Sequence, residues 1–221
     1  MKVVEQKESH GGFERTVRVD AASPFCPAGA MHGYSSVSVS ARGTPISLLR
    51  AEKARFWDVD ENEYREYVCA YGFMVLGYGH PTADEATGKQ LGNGNTVSLA
   101  PAVAALDEIW KTDAPARMLG IGARVTDGLV RIARGHGYDL RVTGVPSMPF
   151  LRIANEEAPV FTEGVSALHK GLHADWISEC VQRGAYFLSY HNNFVSAAHT
   201  DEDIQRTRDI ADDAFRALRK R

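Results

Sequence analysis

The stretch that decides the fold is PISLLRAEKARFWDVDENEYREYVCAYGFMVLGYGHP, residues 45 to 81. Its first apolar residues, Ile46 and Leu48, alternate with polar ones, and two further short runs follow at Arg55–Asp58 and Tyr64–Val68. Charged or acidic residues separate the three runs. Short apolar runs between polar turns are typical of strands that pair in sequence order. The stretch therefore predicts a three-stranded antiparallel meander.

The rest of the chain alternates helical patterns with one further pair of strands. Leu140–Val145 and Phe150–Ile153 alternate as the strands of a hairpin, and Asn155–Leu172 is expected to be a loop. Thr200 and Asp203 stand at the two positions of a capping box, which marks the start of the last helix. Apolar residues at helical spacing predict the earlier helices at 82–91, 100–110, 118–132 and 174–183. Together these elements predict an α+β protein whose small antiparallel sheets are covered by helices.

Composition and charge exclude several classes of function. The chain has 221 residues and a formal net charge of −3, which gives no reason to expect binding to nucleic acid or to an anionic membrane. No apolar run approaches the ~20 residues of a membrane span, and the N-terminus lacks the apolar core of a signal peptide. Cys26, Cys69 and Cys180 are scattered without metal-ligand spacing, as in a reduced cytoplasmic protein.

Three motifs carry a family resemblance. They are WDVDENEYREYVCAYGFMVLGYGHP at 57–81, RVTGVPSMPFLRI at 141–153 and SYHNNFVSAAHTDEDIQRT at 189–207. They resemble the class III (ω-type) aminotransferases, and within them the glutamate-1-semialdehyde 2,1-aminomutase subgroup. The resemblance covers Gly29–Leu106 and Leu119–Leu218. It implies a truncated pyridoxal-phosphate (PLP) fold type I that lacks the large parallel-sheet domain.

The resemblance implies that the missing domain is the one that would hold PLP. PLP chemistry needs a lysine for the Schiff base and an acid at the ring nitrogen. No lysine of this chain follows an apolar strand in a βαβ setting, and no stretch resembles a phosphate-binding turn. We therefore expect no cofactor. The lysines are Lys2, Lys7, Lys53, Lys89, Lys111, Lys170 and Lys220.

The motifs and the missing part divide the chain into four regions. Residues 1–28 are expected to be a flexible N-terminal arm, and 29–110 to contain the meander and the dimer-forming helices. Residues 111–117 are the junction that replaces the large domain, and 118–221 form the C-terminal small domain. In the family the helices after the meander form much of the subunit interface, so we expect a homodimer. Its contact face would include Val103, Leu106 and Trp110.

The resemblance implies that three segments line one cleft: the loop around Tyr34, the strand end at Tyr71 and the loop around His191. His191 is the candidate acid or base because histidine titrates near neutral pH, and Tyr71 is its candidate partner. The alternatives are that Tyr71 only fills space and that the loops only bond their own backbone or face solvent. The candidate substrate-binding residues are Tyr34, Ser36, Arg42, Asn192 and Asn193. No metal site is expected, since His169 and His173 are an i, i+4 pair without a nearby acid.

Three functions remain open from the sequence. The first is a PLP-independent biosynthetic enzyme that performs acid/base chemistry, such as isomerisation, cyclisation or dehydration, on a small metabolite. The second is a non-catalytic binding or scaffold partner of a full-length aminotransferase. The third is an internally deleted aminotransferase without a function of its own.

Overall fold

A computed structural model describes residues 3–10, 13–20, 48–58, 60–90, 99–153, 167–189 and 191–218. The strands are β1 (Val3–His10), β2 (Phe13–Asp20), β3 (Leu48–Glu52), β4 (Arg55–Asp58), β5 (Glu63–Glu66), β6 (Leu140–Val145), β7 (Met148–Ile153) and β8 (Ala185–Tyr186). The helical elements are α1 (Cys69–Gly72), α2 (Pro81–Gln90), α3 (Leu99–Lys111), α4 (Ala114–Gly135), α5 (Ala167–Gln182) and α6 (Asp201–Leu218). The α+β class predicted from the sequence is confirmed.

The central sheet has the strand order β3-β4-β5-β8. Its first three strands form the predicted antiparallel meander, with Phe56 of β4 opposite Tyr64 of β5. These two rings stack with their centroids 4.8 Å apart. The two-residue strand β8 adds a parallel edge, in which Arg65 pairs with Ala185. This fourth strand joins the N-terminal half of the chain to the C-terminal half.

The C-terminal hairpin is also confirmed. Strands β6 and β7 pair antiparallel from Leu140 opposite Ile153 to Val145 opposite Met148. The pairing begins two residues earlier on the second strand than the sequence predicted. Gly144 adopts a φ of 87°, a backbone conformation that favours glycine, next to the tight turn.

An N-terminal hairpin replaces the expected flexible arm. Strands β1 and β2 pair antiparallel, with Val4 opposite Val19 and Gln6 opposite Val17. His10 pairs with Phe13, so two residues connect the strands, and in the sequence both are glycine. A Gly-Gly dipeptide favours the tight turn of such a hairpin. The polar composition hid this pattern in the sequence.

One hydrophobic core connects both halves. It contains Phe56 and Tyr64 of the meander, Leu151 of the hairpin, and buried faces of α4, α5 and α6. Helix α5 contacts both β7 and β8, so the two sheets meet through helices. Seven apolar residues of α5 and α6 are fully buried in this core: Trp176, Ile177, Cys180, Val181, Ile204, Ala211 and Phe215.

Helix α5 starts earlier than the sequence predicted. Residues 167–172 were expected to belong to a loop, but the helix begins at Ala167. Gly171, a residue that favours helix ends, lies inside the helix. A Cβ there would meet nothing within 4 Å, and an interior glycine of this kind is tolerated at a cost of ~1 kcal/mol. The predicted stop at Gly184 is confirmed by its φ of 94°.

The capping box of α6 is present. The backbone N–H of Asp203 donates to Thr200 Oγ1 at 3.2 Å, and the backbone N–H of Thr200 donates to Asp203 Oδ2 at 2.9 Å. Arg55 Nε also donates to Asp203 Oδ1 at 2.6 Å. The cap therefore fixes α6 to the meander as well as starting the helix.

The junction between the two halves is shorter than predicted. Helix α3 ends at Lys111 and α4 begins at Ala114, so only two residues separate them. Asp113 takes a left-handed φ of 48°, and Pro115 stands in the first turn of α4, a position that favours proline. None of the helices in the described ranges is long and apolar enough to cross a membrane.

Candidate functional site

A left-handed turn lies at the end of the meander. Element α1 is assigned as helical, yet its residues have positive φ angles: 47° at Cys69, 47° at Ala70, 59° at Tyr71 and 92° at Gly72. A left-handed conformation costs roughly 1–2 kcal/mol for each residue with a Cβ. Strained backbone of this kind persists only where the surroundings enforce it, and it is concentrated at functional sites.

The carboxylate of Glu66 binds the start of this turn. The backbone N–H of Val68 donates to Glu66 Oε1 at 2.6 Å, and that of Cys69 reaches Oε1 at 2.9 Å and Oε2 at 2.7 Å. Glu66 is only 3% exposed. Burial raises the pKa of its carboxyl group, while the hydrogen bonds from Cys69 and Val68 act in the opposite direction. Glu66 lies inside the motif at 57–81, but the sequence does not mark it as a site residue because its burial is seen only in the structure.

The loop around Phe194 packs against the same turn. The backbone N–H of Phe194 donates to Tyr67 O at 2.7 Å, and the Cys69 thiol lies 3.6 Å from Phe194 O. A Cβ at Gly72 would lie 2.9 Å from the Phe194 ring. The turn and the loop are thus in close contact although more than a hundred residues separate them in sequence.

The structure brings Tyr71 and His191 together. Their ring centroids are 5.3 Å apart, with an interplanar angle of 67°. His191 Nδ1 lies 2.9 Å from the carbonyl oxygen of Asn192. A carbonyl oxygen only accepts, so Nδ1 carries a proton in this contact. Nε2 is then the ring nitrogen that can accept a proton, and the site places a phenol beside an imidazole in the tautomer that a base needs.

Asn193 holds the loop in shape. Its side-chain oxygen accepts from the backbone N–H of Leu188 at 2.8 Å, and its amide nitrogen lies 3.4 Å from Leu188 O. It is 1% exposed. The alternative noted from the sequence, a loop that bonds its own backbone, therefore describes Asn193. Asn192 is half-buried and forms an isolated bridge with Phe150 of the hairpin. Tyr34, Ser36 and Arg42 lie outside the described residues.

The other buried histidines belong to the core. His199 stacks on Tyr67 with centroids 4.8 Å apart, and its Nδ1 lies 3.0 Å from Ser196 Oγ. Burial lowers the pKa of His199 to about 4 and that of His173 to about 3, so both are neutral near pH 7. In the described ranges no group of three or more His, Cys, Asp or Glu side chains could hold a metal ion.

The three lysine side chains that the structure describes lie at the protein surface. Lys53 has a side chain that is 71% exposed and lies 3.6 Å from Glu52. Lys89 is similarly exposed at 74% and pairs with Glu85 on the surface of α2. Lys111 is exposed at the end of α3. A Schiff-base lysine must reach the cofactor inside a site, and none of these three side chains is directed into the core.

Comparisons with known proteins support the resemblance. No family model matches this chain. The aminopentol aminotransferase of Sphingopyxis macrogoltabida is 32% identical over 124 residues, which cover 56% of this chain and 27% of that protein. The glutamate-1-semialdehyde 2,1-aminomutase of Akkermansia muciniphila is 32% identical over 117 residues, which cover 52% of this chain and 27% of that protein. The chain thus spans less than a third of the length of these relatives.

Solved structures show the same fold. The PLP internal aldimine form of the FumI protein of Sphingopyxis sp. MTA144 has a TM-score of 0.74 at 15% identity, covering 86% of this chain and 93% of that one. A β-phenylalanine aminotransferase from Variovorax paradoxus has a TM-score of 0.62 at 11% identity, covering 86% and 92%. The predicted resemblance to aminotransferases and aminomutases is therefore confirmed, as is the fold class.

Proposed function

We propose that this chain is a PLP-independent relative of the aminotransferases that moves protons on a small carbonyl metabolite. The observation that supports this is the contact of Tyr71 with His191, which joins a strained turn to a distant loop. A phenol and an imidazole at this distance are a common acid/base pair. The reaction would be an isomerisation, cyclisation or dehydration in a biosynthetic sequence.

The chemistry needs no electron sink. The lone pair on His191 Nε2 would take a proton from the carbon beside the substrate carbonyl, and the Tyr71 hydroxyl would donate a hydrogen bond to the oxyanion that forms. In a substrate with a hydroxyl group on the carbon that loses the proton, that hydroxyl proton would move to the oxyanion and His191 would return its own proton to the former carbonyl carbon, which completes an isomerisation. In a substrate with a hydroxyl group one carbon further from the carbonyl, the carbonyl would re-form as that hydroxyl leaves, and His191 would give its proton to the leaving oxygen, so that water is released in a dehydration.

The absence of PLP from this mechanism is part of the proposal. PLP supplies the electron sink that transamination requires. Lys53 and Lys89 lie on the surface, which supports a reaction carried by the side chains of the site alone. The substrate would then be a small oxo or amino-carbonyl acid. Arg42, and Tyr34 with Ser36, remain predicted contacts for its polar groups.

Proton exchange tests this proposal without knowledge of the full reaction. The protein is treated with hydroxylamine to remove any PLP, dialysed, and incubated in D₂O with a panel of 2-oxo acids, amino ketones and amino aldehydes. We expect NMR to show deuterium entering next to a carbonyl faster than in buffer, with no change when PLP is added. Exchange with no compound, or exchange that appears only after PLP is added, would contradict the proposal.

A second candidate function is supported by an exposed apolar face on α3. Val103, Leu106 and Trp110 lie at helical spacing and are 52%, 55% and 81% exposed. Apolar side chains grouped in this way mark interaction surfaces. We propose that a second copy of this chain covers the face. A full-length aminotransferase is the alternative occupant, and it would make the chain a binding or scaffold partner.

Sedimentation equilibrium at micromolar concentration distinguishes these occupants. We expect a homodimer for the wild-type protein and a monomer for Trp110→Glu, because a charge would be buried in the contact. Glu108→Gln, a polar change on the side of the same helix away from these three side chains, should leave the dimer intact. A wild-type monomer would rule out the homodimer. A mixed complex with an added full-length aminotransferase would then support the scaffold function.

A further inference from the structure

We propose that Glu66 is a positioning residue of the site, because its buried carboxylate holds the left-handed turn that sets Tyr71 against His191. The inference rests on the proposed function, because positioning Tyr71 matters only if Tyr71 and His191 carry out a reaction. The contacts of Glu66 do not depend on any reaction. Glu66 is not among the residues that the sequence or the resemblance assigned to the site.

The backbone of the turn forms a small anion-binding concavity. Val68 has right-handed angles, φ −90° and ψ −37°, and Cys69 follows with a left-handed φ of 47°. Successive residues of these two hands direct their N–H groups to the same side, an arrangement that binds anions. Here the anion is the carboxylate of Glu66, which receives both N–H groups within 2.9 Å. Glu66 of the same chain thus acts as the anion that stabilises the change from right-handed backbone at Val68 to left-handed backbone at Cys69.

The turn depends on this contact because most of its residues have a Cβ. Only Gly72 adopts its positive φ without steric cost, while Cys69, Ala70 and Tyr71 are all strained. Hydrogen bonds to an ionised acceptor are stronger than neutral ones, so the carboxylate can offset that strain. The turn has two further backbone hydrogen bonds, from Tyr71 N to Val68 O at 2.9 Å and from Met74 N to Cys69 O at 3.1 Å. Both are donated by residues that follow the first left-handed residue, Cys69.

Tyrosines surround the rest of the carboxyl group. The Tyr78 hydroxyl lies 3.4 Å from Glu66 Oε2. The pKa of Tyr186 is raised by its burial and by the charges of Glu66 and Tyr71. Burial also raises the pKa of the Glu66 carboxyl itself. Burying a carboxyl group costs free energy, and this one is buried against the turn that carries Tyr71. That cost is expected if the carboxyl group positions the turn.

Glu66→Gln tests the role of the carboxylate at nearly constant size. Glutamine offers one acceptor oxygen to two N–H groups and adds N–H donors of its own. We expect the NMR signals of the His191 ring protons to move to the positions seen in Tyr71→Leu, because the Tyr71 ring leaves its place. Glu179→Gln changes another buried carboxylate, one bonded to Arg183 on α5, and should leave these signals unchanged.

Rescue separates positioning from a general structural role. Glycine at position 70 removes the steric cost of that residue's left-handed φ, so Glu66→Gln/Ala70→Gly should recover the wild-type His191 signals. Glu66→Gln/Ala123→Gly, with the second change in the middle of α4, should not. Wild-type signals in Glu66→Gln, or equal behaviour of the two double variants, would overturn the proposal.

Two outcomes keep the test decisive. If Glu66→Gln does not fold, Glu66→Gln/Ala70→Gly should fold again because the turn is less strained, while Glu66→Gln/Ala123→Gly should stay unfolded; two unfolded double variants would overturn the proposal. All these measurements report ring geometry and stability. If they succeed while deuterium exchange fails, the proposed function is wrong and the role of Glu66 stands.

Discussion

Gly122→Ala should destabilise the protein by about 2 kcal/mol or more, although alanine is the better helix former by ~1 kcal/mol. A Cβ at this position of α4 would lie 1.9 Å from the carbonyl oxygen of Pro146 and 2.4 Å from its carbonyl carbon. These are backbone atoms of the β6–β7 turn, so no side chain can rotate away. Either the helix or the hairpin must move, and both contribute to the core.

Gly120→Ala is the matched control. It lies on the same helix, is exposed, and has no atom within 4 Å of the added Cβ. We expect it to stabilise the protein by about 1 kcal/mol through helix propensity alone. Urea unfolding followed by circular dichroism measures both changes. Equal stability of the two variants would mean that the hairpin turn does not pack against α4 at Gly122.

Local signals in the sequence predicted much of this fold. The capping box at Thr200 and Asp203 and the alternation of the meander and the hairpin depend on residues that are close in sequence, and both are confirmed. The errors occurred where local signals conflict. Gly171 interrupts a helical pattern without ending the helix, and the polar strands β1 and β2 have little apolar alternation.

The candidate site could not be predicted from local patterns in the sequence. The contact of Tyr71 with His191 joins residues 120 positions apart, and only the family resemblance placed them in one cleft. The turn that makes the contact possible runs against local preference, because Cys69, Ala70 and Tyr71 all disfavour positive φ. A buried glutamate overrides that preference. Reasoning from residue propensities cannot find such a turn until the hydrogen bonds of Glu66 are seen.

His191→Ala should reduce deuterium exchange by about 10²- to 10⁴-fold, the usual contribution of a positioned acid or base. Alanine removes the lone pair that would take the proton, and the carbonyl of Asn192 that bonds the ring stays in place. The fold should persist, since His191 is only half-buried in a loop. His136→Ala is the control: His136 pairs with Asp212 at 2.7 Å between α4 and α6, away from Tyr71.

The measurement that tests the central claim most directly is the exchange rate of PLP-stripped His191→Ala against the PLP-stripped wild-type protein. Unfolding curves recorded alongside establish that both are folded. We predict a loss of about 10²-fold or more in His191→Ala and none in His136→Ala, even though His136→Ala loses the contact with Asp212. A His191→Ala protein that exchanges deuterium at the wild-type rate would place the chemistry elsewhere and contradict the proposed site.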